Sequence, residues 1–287
     1  MNVLSLFDGM SCGQIALNKL GIEYDKYFAC EIDKYAMEVT QHNFPDTIQL
    51  GDVQKVTKES LGGCEIDLVM GGSPCQGFSF AGHGLNFDDP RSKLFFEYVR
   101  LVKELNPKYF ILENVKMRKD SMDVITKYMG VEPIEINSSL VSAQTRKRLF
   151  WTNIPGVEQP TDKGIVLGDI IEEGMAGENP VKHTERNARH IRDINGKSLC
   201  ATATMYKGAG NNGTTIIRMG DIEGLGTDIW RKLNPREVER LQTVPDDYTL
   251  VLNKDGKQMV SNTQRYKMLG NGWTVDVIAH IMKNAQF

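Results

Sequence analysis

The sequence predicts an α/β protein in which an open sheet carries helices on both faces and a smaller, irregular part is attached. Short apolar runs such as Val3–Phe7 and Tyr109–Leu112 are typical of buried strands, and stretches of helical period lie between them. From Pro155 to residue 230 the chain is richer in Gly, Asn and Thr, with weak periodicity. We therefore predict three parts, which are residues 1–154, a short domain over 155–230 and a return segment over 231–287.

Composition places the chain among ordinary globular proteins. It has 287 residues, of which 40% are hydrophobic and 25% charged, and a net charge of -3. The five cysteines are odd in number and lack the paired spacing of metal sites, so we expect no metal and a reducing, cytoplasmic environment. The amino terminus has no basic prefix and meets Asp8 at once, so we predict neither a signal peptide nor a membrane span.

A glycine turn follows the first strand. Phe7-Asp8-Gly9 leads to Gly13, where a helical pattern begins that Gly21 would end. Strand, glycine turn and helix together are typical of a nucleotide-type cofactor site. The spacing is Gly-x-x-x-Gly and not Gly-x-Gly-x-x-Gly, which favours a cofactor without a pyrophosphate, although many strand–helix turns contain two glycines.

Acidic residues end the next two predicted strands. Glu31 follows Gly9 by 22 residues, where a carboxylate can accept hydrogen bonds from both ribose hydroxyls of a cofactor. The alternative is a charge at a helix amino terminus. Asp52 could bind an adenine amino group with Val53 packed on the ring, or it could be an ordinary turn residue.

Cys75 is the candidate nucleophile. It lies in Gly71-Gly72-Ser73-Pro74-Cys75, just after an apolar run over 67–70, and therefore at the carboxyl edge of the predicted sheet. A small buried cysteine after a tight turn is the simpler alternative. The surrounding Pro-Cys-Gln between glycines, and the partners predicted below, favour a nucleophile.

Three charged residues are the predicted partners of Cys75. Glu113 ends the strand Tyr109–Leu112, so it would face the same crevice. Arg146 and Arg148 precede a further strand, and strand alternation predicts that they point the same way. A basic run on the surface is the alternative for these two arginines.

Other segments have a local prediction. The long aperiodic stretch Gly77–Asp89 favours a functional loop or lid, and Arg91–Val99 predicts an amphipathic helix. Asn234-Pro235-Arg236-Glu237 carries an N-cap, a proline at the first helical position and a capping-box glutamate. A second glycine turn, Leu269–Thr274, leads into a helix predicted over Val275–Asn284.

The segment Val181–Arg218 is basic. It holds seven lysines and arginines against two acids, which gives +5 locally in a chain of net charge -3. Such asymmetry suits a surface that faces phosphates, with a mixed solvated surface as the competing interpretation. Arg186, Arg189 and Arg192 recur every third residue, so a helix would put them on one face. Asn211-Asn212-Gly213 is the predicted turn for base contacts.

Taken together, these motifs resemble those of the DNA (cytosine-5)-methyltransferases, in the same order and over nearly the full length. The motifs are Phe7-Asp8-Gly9 with Gly13; Glu31; Asp52-Val53; Gly72-Ser73-Pro74-Cys75; Glu113-Asn114-Val115; Gln144-Thr145-Arg146-Lys147-Arg148; Asn234 to Gln242; and Gly270-Asn271-Gly272. The wording is most similar to the catalytic domain of the eukaryotic de novo enzymes. Lys116 after Val115, and Gly272-Trp273-Thr274-Val275 in place of the commoner Ala/Ser-Val-Pro ending, obscure the branch but do not touch the chemistry.

The resemblance implies a Rossmann-like, S-adenosylmethionine-dependent methyltransferase sheet, with a target-recognition domain over 155–230. The implied catalytic residues are Cys75, Glu113, Arg146 and Arg148. The implied cofactor-binding residues are Phe7, Asp8, Gly9, Gly13, Glu31, Ile32, Asp52, Val53, Gly72, Pro74, Leu94, Asn271, Gly272, Trp273 and Thr274. The DNA-binding residues we predict are Gln76, Ser79, Arg186, Arg189, Arg192, Lys207, Asn211, Asn212 and Arg218.

The resemblance also implies a mechanism. The Cys75 thiolate adds to C6 of a flipped-out cytosine, and C5 then takes the methyl group of S-adenosylmethionine, which leaves S-adenosylhomocysteine. Glu113 would hold the base at N3 and the exocyclic amine, while Arg146 and Arg148 neutralise charge. Double-stranded DNA is the implied partner of a monomer, as in restriction–modification systems. An RNA enzyme acting on transfer RNA, or an inactive DNA-binding accessory protein, are the alternatives.

Overall fold

The computed structural model describes residues 1–73, 90–172, 180–181, 184–208, 213–221 and 228–287. The chain forms two compact units. The first consists of Met1–Ile136, Lys147–Gln159 and Ile278–Phe287, and the second of Asn137–Arg146 and Pro160–Val277. In this division residues 231–277 belong to the second unit, so only the last segment of the predicted return, from Ile278, joins the first. The catalytic and recognition roles of the three parts stay predictions.

The first unit is built on a seven-stranded sheet in the order β3-β2-β1-β4-β5-β7-β6. Its strands are β1 (Asn2–Leu6), β2 (Lys26–Cys30), β3 (Ile48–Gln49), β4 (Leu68–Gly72), β5 (Tyr109–Val115), β6 (Ile134–Asn137) and β7 (Lys147–Thr152). The pairs from β3 to β5 are parallel, and β7 runs antiparallel to β5. The predicted strands at the start of the chain, before Cys75 and before Glu113 are confirmed.

Among the described residues, the helices that follow strands of this sheet are α1 (Cys12–Leu20), α2 (Lys34–Asn43), α3 (Pro90–Leu105) and α4 (Lys119–Met129). Gly21 closes α1 in a left-handed conformation with φ 66°, as its position predicts. The predicted amphipathic helix lies within α3, where Phe95 and Tyr98 are fully buried in the core with Leu6 and Leu112. The predicted lid over Gly77–Asp89 lies outside the described residues.

The strand order of the first unit contains a reversal. Chain connection runs outward from β1 through β2 to β3, then crosses to β4 on the other side of β1. Open α/β sheets bind ligands at this reversal, beyond the carboxyl ends of the strands. Two of the predicted motifs begin there, because Phe7-Asp8-Gly9 follows β1 and Ser73-Pro74-Cys75 follows β4.

The second unit contains a four-stranded sheet in the order β8-β11-β10-β9. Its elements are β8 (Pro180–Val181), α5 (Glu185–Ala188), β9 (Ile191–Arg192), β10 (Ile216–Asp221), β11 (Asp228–Lys232), α6 (Pro235–Leu241) and α7 (Asn262–Asn271), followed by α8 (Val275–Met282), which ends in the first unit. The predicted capping box of α6 is present, with Asn234 and Glu237 exchanging hydrogen bonds. Within the described ranges no helix combines the length and the apolar character needed to cross a membrane.

Candidate active site

The turn after β1 has an unusual backbone. Phe7, Gly9 and Ser11 all have left-handed φ values, at 57°, 61° and 61°. A side chain is costly in this region, and two of the three positions are not glycine, so the surrounding contacts must hold the turn in place. Non-glycine residues held in this way cluster at ligand sites, which agrees with a cofactor turn.

Glu31 supplies one of those contacts. Its carboxylate accepts a hydrogen bond from Gly9 N–H on Oε2 at 2.8 Å, and from the N–H groups of Ile32 and Asp33 on Oε1 at 2.7 Å each. The carboxylate thus fixes the glycine turn to the end of β2 and retains a lone pair on Oε2 for a further donor. Ile32 is 78% exposed, so an apolar surface lies beside this acceptor.

Asp8 is buried beneath the turn. It accepts hydrogen bonds from the hydroxyl of Tyr27, at 2.8 Å, and from the hydroxyl of Ser11. Gln14 in turn donates to Ser11 at 3.0 Å. Burial raises the pKa of Asp8 to about 6, because an ionised carboxylate is poorly solvated there. The sequence does not predict this hydrogen bond of Tyr27, because an aromatic residue in a strand ordinarily belongs to the core.

Gly13 packs closely against two side chains. A Cβ atom at this position would lie 2.4 Å from Met70 Sδ and 2.7 Å from Tyr27 Oη. A larger residue at this position would require the side chains of Met70 and Tyr27 to shift. This supports the predicted glycine turn as a structural unit; direct contact of Gly13 with a cofactor stays a prediction.

The third acid also lies at a strand end. Asp52 follows β3 and accepts a hydrogen bond from Gln54 N–H at 3.0 Å, which starts a short 3-10 helix over Val53–Lys55. Val53 is buried. The turn role left open for Asp52 is therefore present, and an additional contact with an adenine stays a prediction.

The parallel register of β4 and β5 places Glu113 beside Gly72. Glu113 is only 9% exposed, and its Oε1 forms an ion pair with Nε of Arg148 on β7 at 2.9 Å. Asn114 donates to the carbonyl and the hydroxyl oxygens of Ser73, both at 3.3 Å. In this motif, Glu113 pairs with Arg148, and Asn114 binds Ser73, the last described residue before Pro74-Cys75.

Several predicted residues of this motif cannot be placed. Pro74, Cys75, Gln76 and Ser79 lie outside the described residues, while Leu94 is half-buried on α3. Of the four cysteines that the structure describes, Cys12 and Cys30 are buried, and burial raises the pKa of Cys30 to about 12. Cys30 therefore stays a thiol at neutral pH, in line with the expectation that the nucleophile lies elsewhere.

The two arginines that the sequence analysis treats together are held differently. Arg148 lies in β7 and pairs with Glu113, whereas Arg146 lies before the first residue of β7 and belongs to the second unit. The guanidinium of Arg146 donates to the carbonyl oxygens of Ala201, at 2.9 Å, and Gly272, at 2.8 Å. Strand alternation therefore does not describe the pair, because β7 begins at Lys147.

Buried amides hold the second glycine turn of the chain. Gln242 donates to the carbonyl oxygens of Leu269, at 2.6 Å, and Gly272, at 3.1 Å. Its Oε1 accepts from Gln144 at 2.8 Å and from the hydroxyl of Thr274 at 2.9 Å. These glutamines belong to motifs quoted above, but nothing in their spacing assigns this role. Cofactor contacts by Asn271, Gly272, Trp273 and Thr274 stay predictions.

The predicted helical face of three arginines is wrong. Helix α5 covers only Glu185–Ala188, so Arg186 is the one member within it; Arg189 follows the helix and Arg192 lies in β9. Strand β9 pairs with β10, with Ile191 opposite Ile216, and this pairing ends the helical segment.

The other predicted DNA contacts are scattered. Lys207 is exposed, with its ammonium 5.9 Å from the centre of the Tyr206 ring, and Arg218 is exposed on β10. Asn211 and Asn212 lie outside the described residues, while Gly213 has φ 81°.

Comparison with known proteins supports the fold. Structures of Entamoeba histolytica methyltransferase EhMeth and S. pombe Dnmt2 methyltransferase are similar, with TM-scores of 0.80 and 0.78 at 16% and 21% identity. Each comparison covers 99% of this chain and 97% of the other. At this identity the likeness concerns the fold, and it confirms the predicted α/β methyltransferase sheet.

Named relatives are bacterial and phage methyltransferases. Orphan methyltransferase M.SPRI of Bacillus phage SPR is 46% identical over 167 residues, which cover 54% of this chain and 38% of the relative. Orphan methyltransferase M.Rho11sI of Bacillus phage rho11s is 45% identical over 40% of this chain and 23% of the relative. The chain thus spans well under half the length of these two. Type II methyltransferase M.HhaI of Haemophilus parahaemolyticus is 26% identical over 99% of this chain and 94% of the relative.

Residues 1–152 and 126–286 match the family described as C-5 cytosine-specific DNA methylase. These two matches together extend over almost the whole chain and confirm the resemblance drawn from the motifs. The finer likeness to the eukaryotic de novo enzymes stays a prediction. The chain belongs to the C-5 cytosine-specific DNA methylase family.

Proposed function

We propose that the protein transfers a methyl group from S-adenosylmethionine to C5 of cytosine in DNA. The observation that carries this proposal is the Glu113–Arg148 pair, aligned by strand register with Gly72. Glu113 and Arg148 lie at one edge of the sheet, and Cys75 follows Gly72 by three residues in the sequence, which supports a thiol that acts with this pair. That edge is the ligand-binding edge of this fold class.

The chemistry follows from what cytosine needs. Its C5 is a poor nucleophile, and addition of a thiolate at C6 makes C5 electron-rich. Cys75 is proposed to form that bond to C6 and to leave again when the proton at C5 is lost. Because C6 and C5 are inaccessible in a stacked duplex, the target base must be flipped out.

Glu113 and Arg148 would orient the flipped base. A carboxyl group at the end of β5 can share a proton with N3 and accept a hydrogen bond from the exocyclic amine of cytosine. The 2.9 Å contact with the guanidinium of Arg148 fixes the rotamer of Glu113 before the base arrives. The pair is thus held in its working geometry before the base binds, so no binding energy is needed to orient it.

The residues at the crevice of the first unit fit an adenosine-containing cofactor. Glu31 retains an acceptor for a ribose hydroxyl, and the exposed Ile32 beside it offers an apolar surface for the adenine. The glycine turn lets the backbone approach a ligand, and the motif has no pyrophosphate-binding spacing. S-adenosylmethionine would supply an electrophilic methyl group when bound at these residues.

DNA is the proposed substrate because the family is that of DNA methylases and the named relatives are phage and type II enzymes. The decisive experiment uses the purified protein and its Cys75→Ser variant with duplex DNA and with transfer RNA, in the presence of radiolabelled cofactor. We expect label in duplex DNA for the parent protein and none for Cys75→Ser. A covalent complex with a 5-fluorocytosine duplex should form only with the parent. Labelling of transfer RNA alone would refute the substrate, and full activity of Cys75→Ser would refute the mechanism.

A further inference from the structure

Arg146 is the most deeply buried of the residues that the resemblance marks as catalytic and the structure describes. It is 3% exposed, and its two terminal nitrogens donate to backbone carbonyl oxygens. Nη1 contacts Ala201 O at 2.9 Å and Nη2 contacts Gly272 O at 2.8 Å, while Gly270 O lies 3.4 Å from both. The Sγ of Cys200 is 3.4 Å from Nη1.

These acceptors come from two segments far apart in sequence. Ala201 belongs to the Cys200–Ala203 loop in the predicted recognition domain. Gly270 lies in the last turn of α7 and Gly272 in the link to α8, and we call this stretch the Gly270–Thr274 turn. One guanidinium therefore joins a loop of the target-recognition region to the turn proposed to contact the cofactor. All of these residues lie in the second unit.

Independent packing shows that the same two segments touch. A Cβ atom at Gly270 would lie 2.1 Å from the carbonyl carbon of Thr202 and 2.4 Å from Ala203 N, distances that no real side chain allows. Glycine at this position thus permits the backbone contact that Arg146 then fastens.

The side-chain amides of Gln144 and Gln242 add hydrogen bonds between the same two segments. Gln144, two residues before Arg146, accepts a hydrogen bond from Ala201 N–H at 3.3 Å and donates to Gln242 at 2.8 Å. Gln242 donates to Gly272 O at 3.1 Å. A planar guanidinium with several fixed donors can reach separate carbonyls at once, which the single ammonium of lysine cannot do in the same geometry.

We infer that Arg146 is a positioning residue that fastens the Cys200–Ala203 loop to the Gly270–Thr274 turn, and that it does not act on the cytosine. The inference rests on the proposed function only in naming what the two segments bind. Loosening the junction should therefore weaken the binding of DNA and of cofactor together, while the chemical step proposed for Cys75, with the base oriented by Glu113 and Arg148, continues.

The test compares Arg146→Lys with Arg148→Lys, a control variant in the proposed catalytic pair. For Arg146→Lys we expect the KM values for duplex DNA and for S-adenosylmethionine to rise about tenfold each, with a fall in kcat of less than about threefold. For Arg148→Lys the fall should be mainly in kcat. Gly270→Ala, which leaves Arg146 intact but disturbs the same junction, should reproduce the Arg146→Lys pattern. A fall in kcat at unchanged KM, or an unaltered enzyme, would overturn the inference, as would a lower active fraction with unchanged constants.

A second measurement does not depend on activity. Amide hydrogen exchange should increase in Arg146→Lys over 200–203 and over 270–274 together, with little change over 109–115. The N–H group of Ala201 reports directly, because it donates to Gln144 in the intact junction, whereas the N–H group of Gly272 donates to Met268 O and reports on the end of α7. Exchange that rises in one segment alone, or equally throughout the chain, would contradict the inference that Arg146 fastens the two segments together. If the parent protein methylated neither DNA nor transfer RNA, the proposed function would fail. The hydrogen-exchange measurement would still test whether Arg146 fastens the two segments.

Discussion

Replacing Asp8 with asparagine should change how the stability of the protein depends on pH. Asp8 is buried under the glycine turn after β1, between Tyr27 and Ser11, and burial raises its pKa from 3.8 to about 6. The difference corresponds to roughly 3 kcal/mol between the two protonation states. An asparagine at this position would keep the shape of the side chain but could not ionise.

The direction in which stability changes with pH follows from proton linkage. The carboxyl binds its proton more tightly in the folded protein than in the unfolded chain, so its protonated form favours folding. This contribution is fully present below pH 3.8 and is lost as the pH rises through about 6. At higher pH the folded protein carries the full cost of burying a carboxylate, and Asp8→Asn avoids that cost.

The assay is urea unfolding of the parent and of Asp8→Asn at pH 4.5 and at pH 8. From pH 4.5 to pH 8, the unfolding free energy of Asp8→Asn should rise relative to that of the parent protein by about 2 kcal/mol. Loss of the hydrogen bond from Ser11 weakens the variant equally at both pH values, so the comparison isolates the charge. Asp123→Asn, at an exposed position of α4, is the control and should show no such shift. A free-energy difference that does not change with pH would refute the argument.

Two further outcomes follow from the contacts. Glu31→Gln should weaken cofactor binding by about 1.5–3 kcal/mol in calorimetry, because a charged acceptor is lost; unchanged affinity would show that Glu31 only holds the turn. Glu237→Gln should lower the unfolding free energy by about 3–5 kcal/mol, because Arg231, which is 0% exposed, would lose its carboxylate partner. Asp246→Asn, at a partly exposed ion pair with Arg240, should cost less than about 1 kcal/mol in the same denaturation measurement, and an equal loss in both variants would contradict this reasoning.

What the sequence predicts well is determined locally. Glu31 and Glu113 follow runs of apolar residues, and the carboxyl ends of parallel strands meet at one edge whatever the rest of the chain does. The capping box at Asn234 and Glu237 is likewise closed by residues three apart. Such features need only neighbouring residues, so pattern and propensity are sufficient to find them.

What the sequence does not predict depends on contacts between distant segments. Arg146 and Arg148 have strand spacing, but a strand's alternation applies only inside the strand, and carbonyls more than fifty residues away bind Arg146. Arg189 and Arg192 have helical spacing, but α5 ends before Arg189 and the pairing of β9 with β10 sets the backbone of Arg192. Tertiary contacts override local periodicity at these places.

The charge of Val181–Arg218 shows how the same limit applies to substrate recognition. Lys197 counts toward the local excess of +5, yet its ammonium donates to the carbonyl oxygens of Ser139 at 2.7 Å and Ser142 at 3.1 Å. It therefore anchors the protein's own backbone, and a smaller set, including the exposed Lys207 and Arg218, can face phosphates. Phosphate contacts position a nucleic acid of either kind without reading it. Binding affinity alone therefore cannot separate duplex DNA from transfer RNA, and the substrate has to be decided by which of them accepts the methyl group.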